Sequence, residues 1–348
     1  MRFSISQLGI LLYVVPALSF FFIGPILGYE YSHAGGGAIF CSAAAVVFGY
    51  LASFLFRPPV KQSVRMPYKS YLVYSKLILM LGLACAILNM VRVGEIPLFS
   101  GNQNQVRAEL QGSFLWNVYI FCSIGIFIFS TSQLKRNPGR IGWVLICTYI
   151  ILALLSGWKG VFLNFIFLFL VPRYKNIRIP VSAVLRFSLF FFAVFFIVNG
   201  IRSGGFISAL AQPVYYIYWG FVNFDIYAVP ADSSCLHSVP FFGCKFEVDN
   251  AELVDPTWNV YTSLAPLYID GGALLVSVVF FVFGFFSGYF ERREGRLLYG
   301  FLCYVSFYFL FFSHNGYLFY SSFYILSSIL VIILDYASRN FRKQVGIG

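Results

Sequence analysis

Four basic side chains and two titratable partners carry most of the chemistry this sequence can do. Arg202 stands between Asn199-Gly200-Ile201 and Ser203-Gly204-Gly205, a guanidinium set in flexible backbone. Its planar fork donates two parallel hydrogen bonds, the geometry that clamps a phosphate. Arg107 sits in a polar stretch, Arg92 follows a long apolar run, and Lys159 lies between Trp158 and Gly160. Asp270, in Leu267-Tyr268-Ile269-Asp270-Gly271-Gly272, and His314, beside Asn315, are groups that can orient a hydroxyl or take its proton. Cations opposite a general base suit transfer chemistry on a phosphorylated compound. Paired CxxC motifs, HExxH and a Gly-Lys-Ser/Thr phosphate loop are absent, so neither a metal nor a nucleotide cofactor is expected.

Each of these residues also has a plainer reading. Arg92 can anchor at lipid headgroups, and Lys159 can snorkel from the end of a short span. Arg107 has Glu109 two positions on, although on a helix that spacing sets the pair on different faces. Asp270 can cap a helix N-terminus. A loop histidine such as His314 is usually solvated, but its turn is too short to leave a bundle.

The elements that must hold these groups are membrane helices. The chain is 59% hydrophobic, 21% aromatic and only 11% charged, with a mean hydropathy of +0.80. Ten apolar stretches can be drawn, at 8–28, 35–56, 71–91, 113–132, 141–155, 159–172, 181–200, 268–290, 297–313 and 316–334. Runs of about 20 apolar residues match the hydrocarbon thickness of a bilayer. The fold class is therefore all-α: a polytopic membrane protein of about ten transmembrane helices. Without an internal repeat or a low-complexity tract, residues 1–348 read as one multispanning domain. The first apolar run has no small-residue cleavage site after it and reads as a retained span.

Charge sets the sidedness. Basic clusters recur on alternate connections: Arg57 to Lys69, Lys135 to Arg140, Arg173 to Arg178, Arg292 to Arg296, and Arg339 to Lys343. With Arg2 and Arg186 they give eighteen cations against Glu291, Glu294 and Asp335 on one side, whereas five cations face ten acids on the other. Cytoplasmic loops carry such a basic excess, so both termini are predicted inside. The net charge of +11 is a topology signal and not a nucleic-acid footprint. Two long outer connections result, 92–112 and 201–258. Within the second, residues 205–222 are apolar and rich in Tyr, suiting an interfacial or re-entrant segment. Residues 225–256 are acidic and read as a cap.

Five of the seven cysteines lie inside spans; Cys235 and Cys244 lie in the large outer loop. On an oxidising face they are candidates for a disulfide, which would contribute about 2–3 kcal/mol on a loop-entropy account. A soluble anion would be repelled by the acidic outer face, whereas a phosphorylated group carried on a lipid can enter laterally beneath it.

In order and sidedness these features resemble the bacterial oligosaccharide repeat-unit polymerases of the O-antigen and capsule type (Wzy-like). Gly94-Glu95-Ile96-Pro97-Leu98 followed by Arg107 resembles that family's Gly-x-Ile-Pro-Leu loop and downstream arginine. Ser156-Gly157-Trp158-Lys159-Gly160 resembles its Ser-Gly-x-Arg-Gly turn, with Lys159 where arginine is usual. Arg202 looks like another outer arginine, and residues 263–275 resemble its Asp-x-Gly helix start. The likeness covers about two thirds of the chain in short motifs.

The resemblance implies an enzyme of the cytoplasmic (inner) membrane. It would transfer a growing glycan from undecaprenyl pyrophosphate to the non-reducing end of the next lipid-linked repeat unit. Arg202 and Arg107 would meet the pyrophosphate, with Arg92 and Lys159 as secondary contacts, and His314 or Asp270 would act on the acceptor. A chain-length regulator and a flippase are candidate partners, beside the bilayer and the lipid-linked oligosaccharide. An O-antigen ligase or a polysaccharide flippase or exporter is the alternative reading.

Overall fold

Apolar runs closed by Gly, Pro or basic residues become helices along the chain. The computed structural model describes residues 2–26, 29–56, 68–132, 139–157, 159–175, 177–203, 218, 220–228, 236, 262, 264–293, 297–312 and 322–345. In order, the elements are β1 (Arg2–Phe3), α1 (Ile5–Ile26), α2 (His33–Ala52, continued by a 3-10 turn at Ser53–Leu55), α3 (Tyr68–Val93), α4 (Gln103–Gln111), α5 (Phe114–Cys122), α6 (Ile124–Ser132), α7 (Gly139–Leu155), α8 (Lys159–Tyr174), β2 (Ile179–Pro180) and α9 (Val181–Ser203). A π turn at Phe224–Ala228 follows, then α10 (Leu264–Glu291), α11 (Leu297–Phe312) and α12 (Ser322–Val345).

Five helical segments are long and apolar enough to cross a bilayer: Ile5–Ile26, His33–Leu55, Tyr71–Val93, Phe114–Thr131 and Leu264–Glu291. Shorter apolar helices cover Arg140–Leu155, Gly160–Tyr174, Val181–Val194, Leu297–Phe311 and Phe323–Ala337, and the two sets overlie the ten stretches read from sequence. Their outward faces are apolar, with Phe22 at 74% and Leu274 at 76% exposure, as hydrocarbon solvent requires. Several polar groups turn inward and find partners there: Asn89 Nδ2 donates to the Leu110 carbonyl at 2.9 Å, and Tyr119 Oη to that of Tyr149 at 2.7 Å.

The interior has two centres. One is built on α3, α5, α6, α7 and α8; the other joins α1, α2, the π turn and α10; α11 contributes to both. The closest pairing is α2 with α10. A Cβ on Gly49 would strike the Phe281 carbonyl oxygen, and one on Gly284 that of Val46. Small residues let two backbones approach in this way, the form of helix association favoured where no hydrophobic force drives contact.

The helix end that carries the basic clusters is tied together by its own residues. β1 pairs antiparallel with β2, fixing the N-terminus to the α8–α9 connection. Buried Glu291 accepts from Ser4 Oγ at 3.0 Å and Ser6 N at 3.4 Å. Lys175 Nζ donates to the Arg293 carbonyl at 2.7 Å, and the Arg292 guanidinium lies 4.1 Å over the Phe54 ring.

Three boundaries differ from the sequence reading. The stretch 113–132 is two helices meeting at Ser123. The eighth stretch begins at Leu264 rather than at 268. Residues 224–228 are helical and buried up to Asp225, not the start of a polar cap. Tyr218, Phe221 and Phe224, all buried, supply enough apolar surface to draw that acid into the packing.

Candidate functional site

The connection 92–112 folds back onto the helices. Leu98 is 5% exposed, and its N–H donates to the Leu155 carbonyl at 3.1 Å. This bond sets Gly94-Glu95-Ile96-Pro97-Leu98 against the end of α7, where Ser156-Gly157 turns the chain into α8 and Lys159. Two motifs some sixty residues apart in sequence thus meet through one backbone hydrogen bond. α4 then carries Arg107, partly exposed, back over the end of α3; Val106 and Leu110 are its buried contacts. Arg92 is exposed at the end of α3 and its Nη2 donates to the Glu109 carbonyl at 3.1 Å. Arg92 therefore holds α4 in place, a task that headgroup anchoring does not describe. Arg92 and Arg107 thus lie on the connection whose Leu98 docks at the end of α7, four residues before Lys159.

Arg202 lies in the last turn of α9, and its side chain is outside the described residues, as is that of Lys159. His314, Cys235 and Cys244 are outside them altogether. The histidine role and the disulfide remain as read from sequence.

Asp270 is inside α10 and not at its first turn. Directly after it the helix breaks, with Gly271 at φ −160°, ψ 20° and Gly272 at φ 61°, ψ −161°. The conformation at Gly272 is open almost only to glycine. Leu264–Asp270 and Ala273–Glu291 are thus two half-helices, and partly exposed Asp270 ends the first. Broken helices at membrane depth are tolerated where the freed backbone lines protein or a cavity. An ionisable group there is a candidate for function.

A second polar group was not singled out in the sequence. Asp225, 5% exposed on the π turn, accepts from Tyr29 Oη at 2.9 Å, from Ser32 N at 2.9 Å and from Ser32 Oγ. Ser32 also caps α2 through Gly35 N at 2.9 Å. Burial, and after it the bond to Asp225, raises the Tyr29 hydroxyl well above the usual phenol range. Burial likewise lifts Tyr31 to about 12, so both stay protonated at neutral pH. The π turn packs on α10, with the Phe224 and Tyr268 rings 5.5 Å apart, so this group adjoins the half-helix of Asp270. The signal in the sequence was an acid set in a run of apolar residues, Trp219-Gly220-Phe221-Val222-Asn223-Phe224-Asp225-Ile226-Tyr227.

Among the described residues no group of three or more His, Cys, Asp or Glu side chains could hold a metal ion. Apolar helices with ordered charged groups at one end define a multi-pass membrane protein, all-α in class. Residues 2–220 match the O-antigen polymerase family, and the chain belongs to it. No curated protein and no solved structure matches it. Its role is accordingly in O-antigen polymerisation, as a glycosyltransferase-type polymerase acting on lipid-linked oligosaccharide in a bilayer. The matched region holds Arg92, Arg107, Lys159 and Arg202 and ends before Asp225, Asp270 and His314.

Proposed function

We propose that the protein lengthens glycans on the outer face of the bacterial inner membrane by head-to-tail transfer between two lipid-linked molecules. The acceptor sugar's hydroxyl oxygen attacks the anomeric carbon of the growing chain. A new glycosidic bond forms while the bond from that carbon to the pyrophosphate oxygen breaks. Undecaprenyl pyrophosphate leaves with the electron pair, and the hydroxyl proton passes to a base, His314 or Asp270. Arg202 and Arg107 offset the charge that builds on the leaving group, with Arg92 and Lys159 close to them, and no metal ion is needed in that role.

The observation that carries this reading is the docking of the Arg107 loop on the Lys159 turn through Leu98 N and Leu155 O, 3.1 Å apart. It supports a preformed cationic corner in a chain of the O-antigen polymerase family. Purified protein in lipid vesicles, supplied only with lipid-linked repeat units, is expected to release undecaprenyl pyrophosphate and build a ladder, also in the presence of EDTA. A ligase would need a lipid-core acceptor, and a flippase would release no pyrophosphate. A chain-length regulator and a flippase are the partners this chemistry calls for in the cell.

The reading requires that the loops at 92–112 and 201–258 face outward, with ten spans and both termini inside. Reporter fusions at Asn104 and Asp249 are expected to read extracytoplasmic and one at Asn137 cytoplasmic. The reverse at any of the three overturns the sidedness and with it the site.

A further inference from the structure

Among the described residues, no donor is bonded to the Tyr29 hydroxyl oxygen, at the predicted outer end of α1 and α2. Tyr29 spends its proton on Asp225, and Tyr31 spends its own on the Phe20 carbonyl. The Asp225 carboxylate has no proton to give and accepts three bonds, where it has room for about four. The Tyr29 oxygen keeps lone pairs, whereas that of Tyr31 packs on the α1 backbone at Gly24, so Tyr31 contributes its ring. Tyr29 and Tyr31 are partly exposed, Glu30 between them is exposed, and Asp225 is buried and holds Tyr29. No basic side chain among the described residues is bonded to Asp225.

A phosphate finds nothing here, since it too is an acceptor and would meet negative charge. Groups that bring hydroxyl donors fit. The setting is also aromatic: the Tyr29 and Tyr31 rings are 5.4 Å apart, and Phe20 lies 4.2 Å from Tyr31. Rings for an apolar C–H face beside acceptors for hydroxyls are the two surfaces a pyranose presents. Below them is a cavity of about 210 Å³ lined by α1 residues from Val15 to Ile23 with Tyr218 and Phe221, nearly all apolar. Val15 is 58% exposed, so this wall borders the lipid side of α1. A hydrocarbon-lined space beneath hydroxyl acceptors repeats the polarity order of a glycolipid.

We infer that Tyr29, Tyr31 and Asp225 form a subsite for the sugar of the acceptor lipid-linked oligosaccharide, apart from the arginine corner that meets the leaving pyrophosphate. The inference rests on the polymerase reading and adds a place for its second substrate. Asp270 lies on the half-helix that packs on the π turn.

The test compares two probes on protein in phosphatidylcholine nanodiscs: lipid-linked repeat unit isolated from cells lacking this protein, and bare undecaprenyl pyrophosphate. The wild type is expected to bind the glycosylated probe more tightly. Tyr29→Phe, which removes one acceptor and keeps the ring, should reduce that sugar-dependent gain about three- to tenfold, the size of one hydrogen bond. Its affinity for the bare carrier should not change, a result that mere loss of packing does not give. Asp225→Asn should act in the same direction. A full sugar-dependent gain in Tyr29→Phe overturns the subsite, as does equal binding of both probes by the wild type. A wild type that binds neither probe refutes the polymerase reading instead.

Discussion

Replacing Arg202 or Arg107 with alanine should collapse the polymer ladder to single repeat units while the protein still inserts. Both positions are assigned to the leaving pyrophosphate, whose charge grows as the anomeric bond breaks. Removing one donor aimed at such developing charge costs about 10²–10³ in rate. Lysine at either position should restore little, because an ammonium is a point charge and the site asks for a fork. Arg92→Ala should act differently. Arg92 reaches α4 through the Glu109 carbonyl at 3.1 Å, so its loss loosens the element that carries Arg107 and should shorten chains without abolishing them. Lys245, among the acids of the connection 201–258, is the control, and its removal should leave the ladder intact. Normal polymer at normal expression from both Arg202→Ala and Arg107→Ala would make these arginines structural.

Helix positions were legible in the sequence because a bilayer imposes run length: each of the ten apolar stretches overlies an apolar helix among the described residues. The break in α10 was not. Gly271-Gly272 sits in an otherwise continuous apolar run, and only the backbone angle of 61° at Gly272 separates a tolerated glycine pair from a change of direction. Asp270 reads as the start of a span for the same reason, although Thr262-Ser263 before Leu264 marks the earlier beginning.

The cationic corner was legible as residues but not as a contact. Arg107, Arg92 and Lys159 stand out by charge, yet the meeting of Leu98 with Leu155 depends on the loop folding back, which no local pattern encodes. In the sequence Asp225 borders an acidic tract and is indistinguishable from it by charge. What sets it apart from Asp249 or Asp255 is its immediate company, Asn223-Phe224 before and Ile226-Tyr227 after. Such surroundings place a carboxylate among rings, where burial must be offset by hydrogen bonds of the kind Tyr29 and Ser32 donate.

The surface glycan of bacterial cells deleted for this protein alone tests the central claim most directly. Polymerisation is the only step assigned to the protein, so export and ligation continue without it. Electrophoresis of the surface glycan should therefore show lipid core capped by a single repeat unit, and the full ladder should return on complementation with the wild-type chain. A deletion strain with no surface glycan would assign the protein to flipping or ligation, and one with an undiminished ladder would remove it from polymer growth.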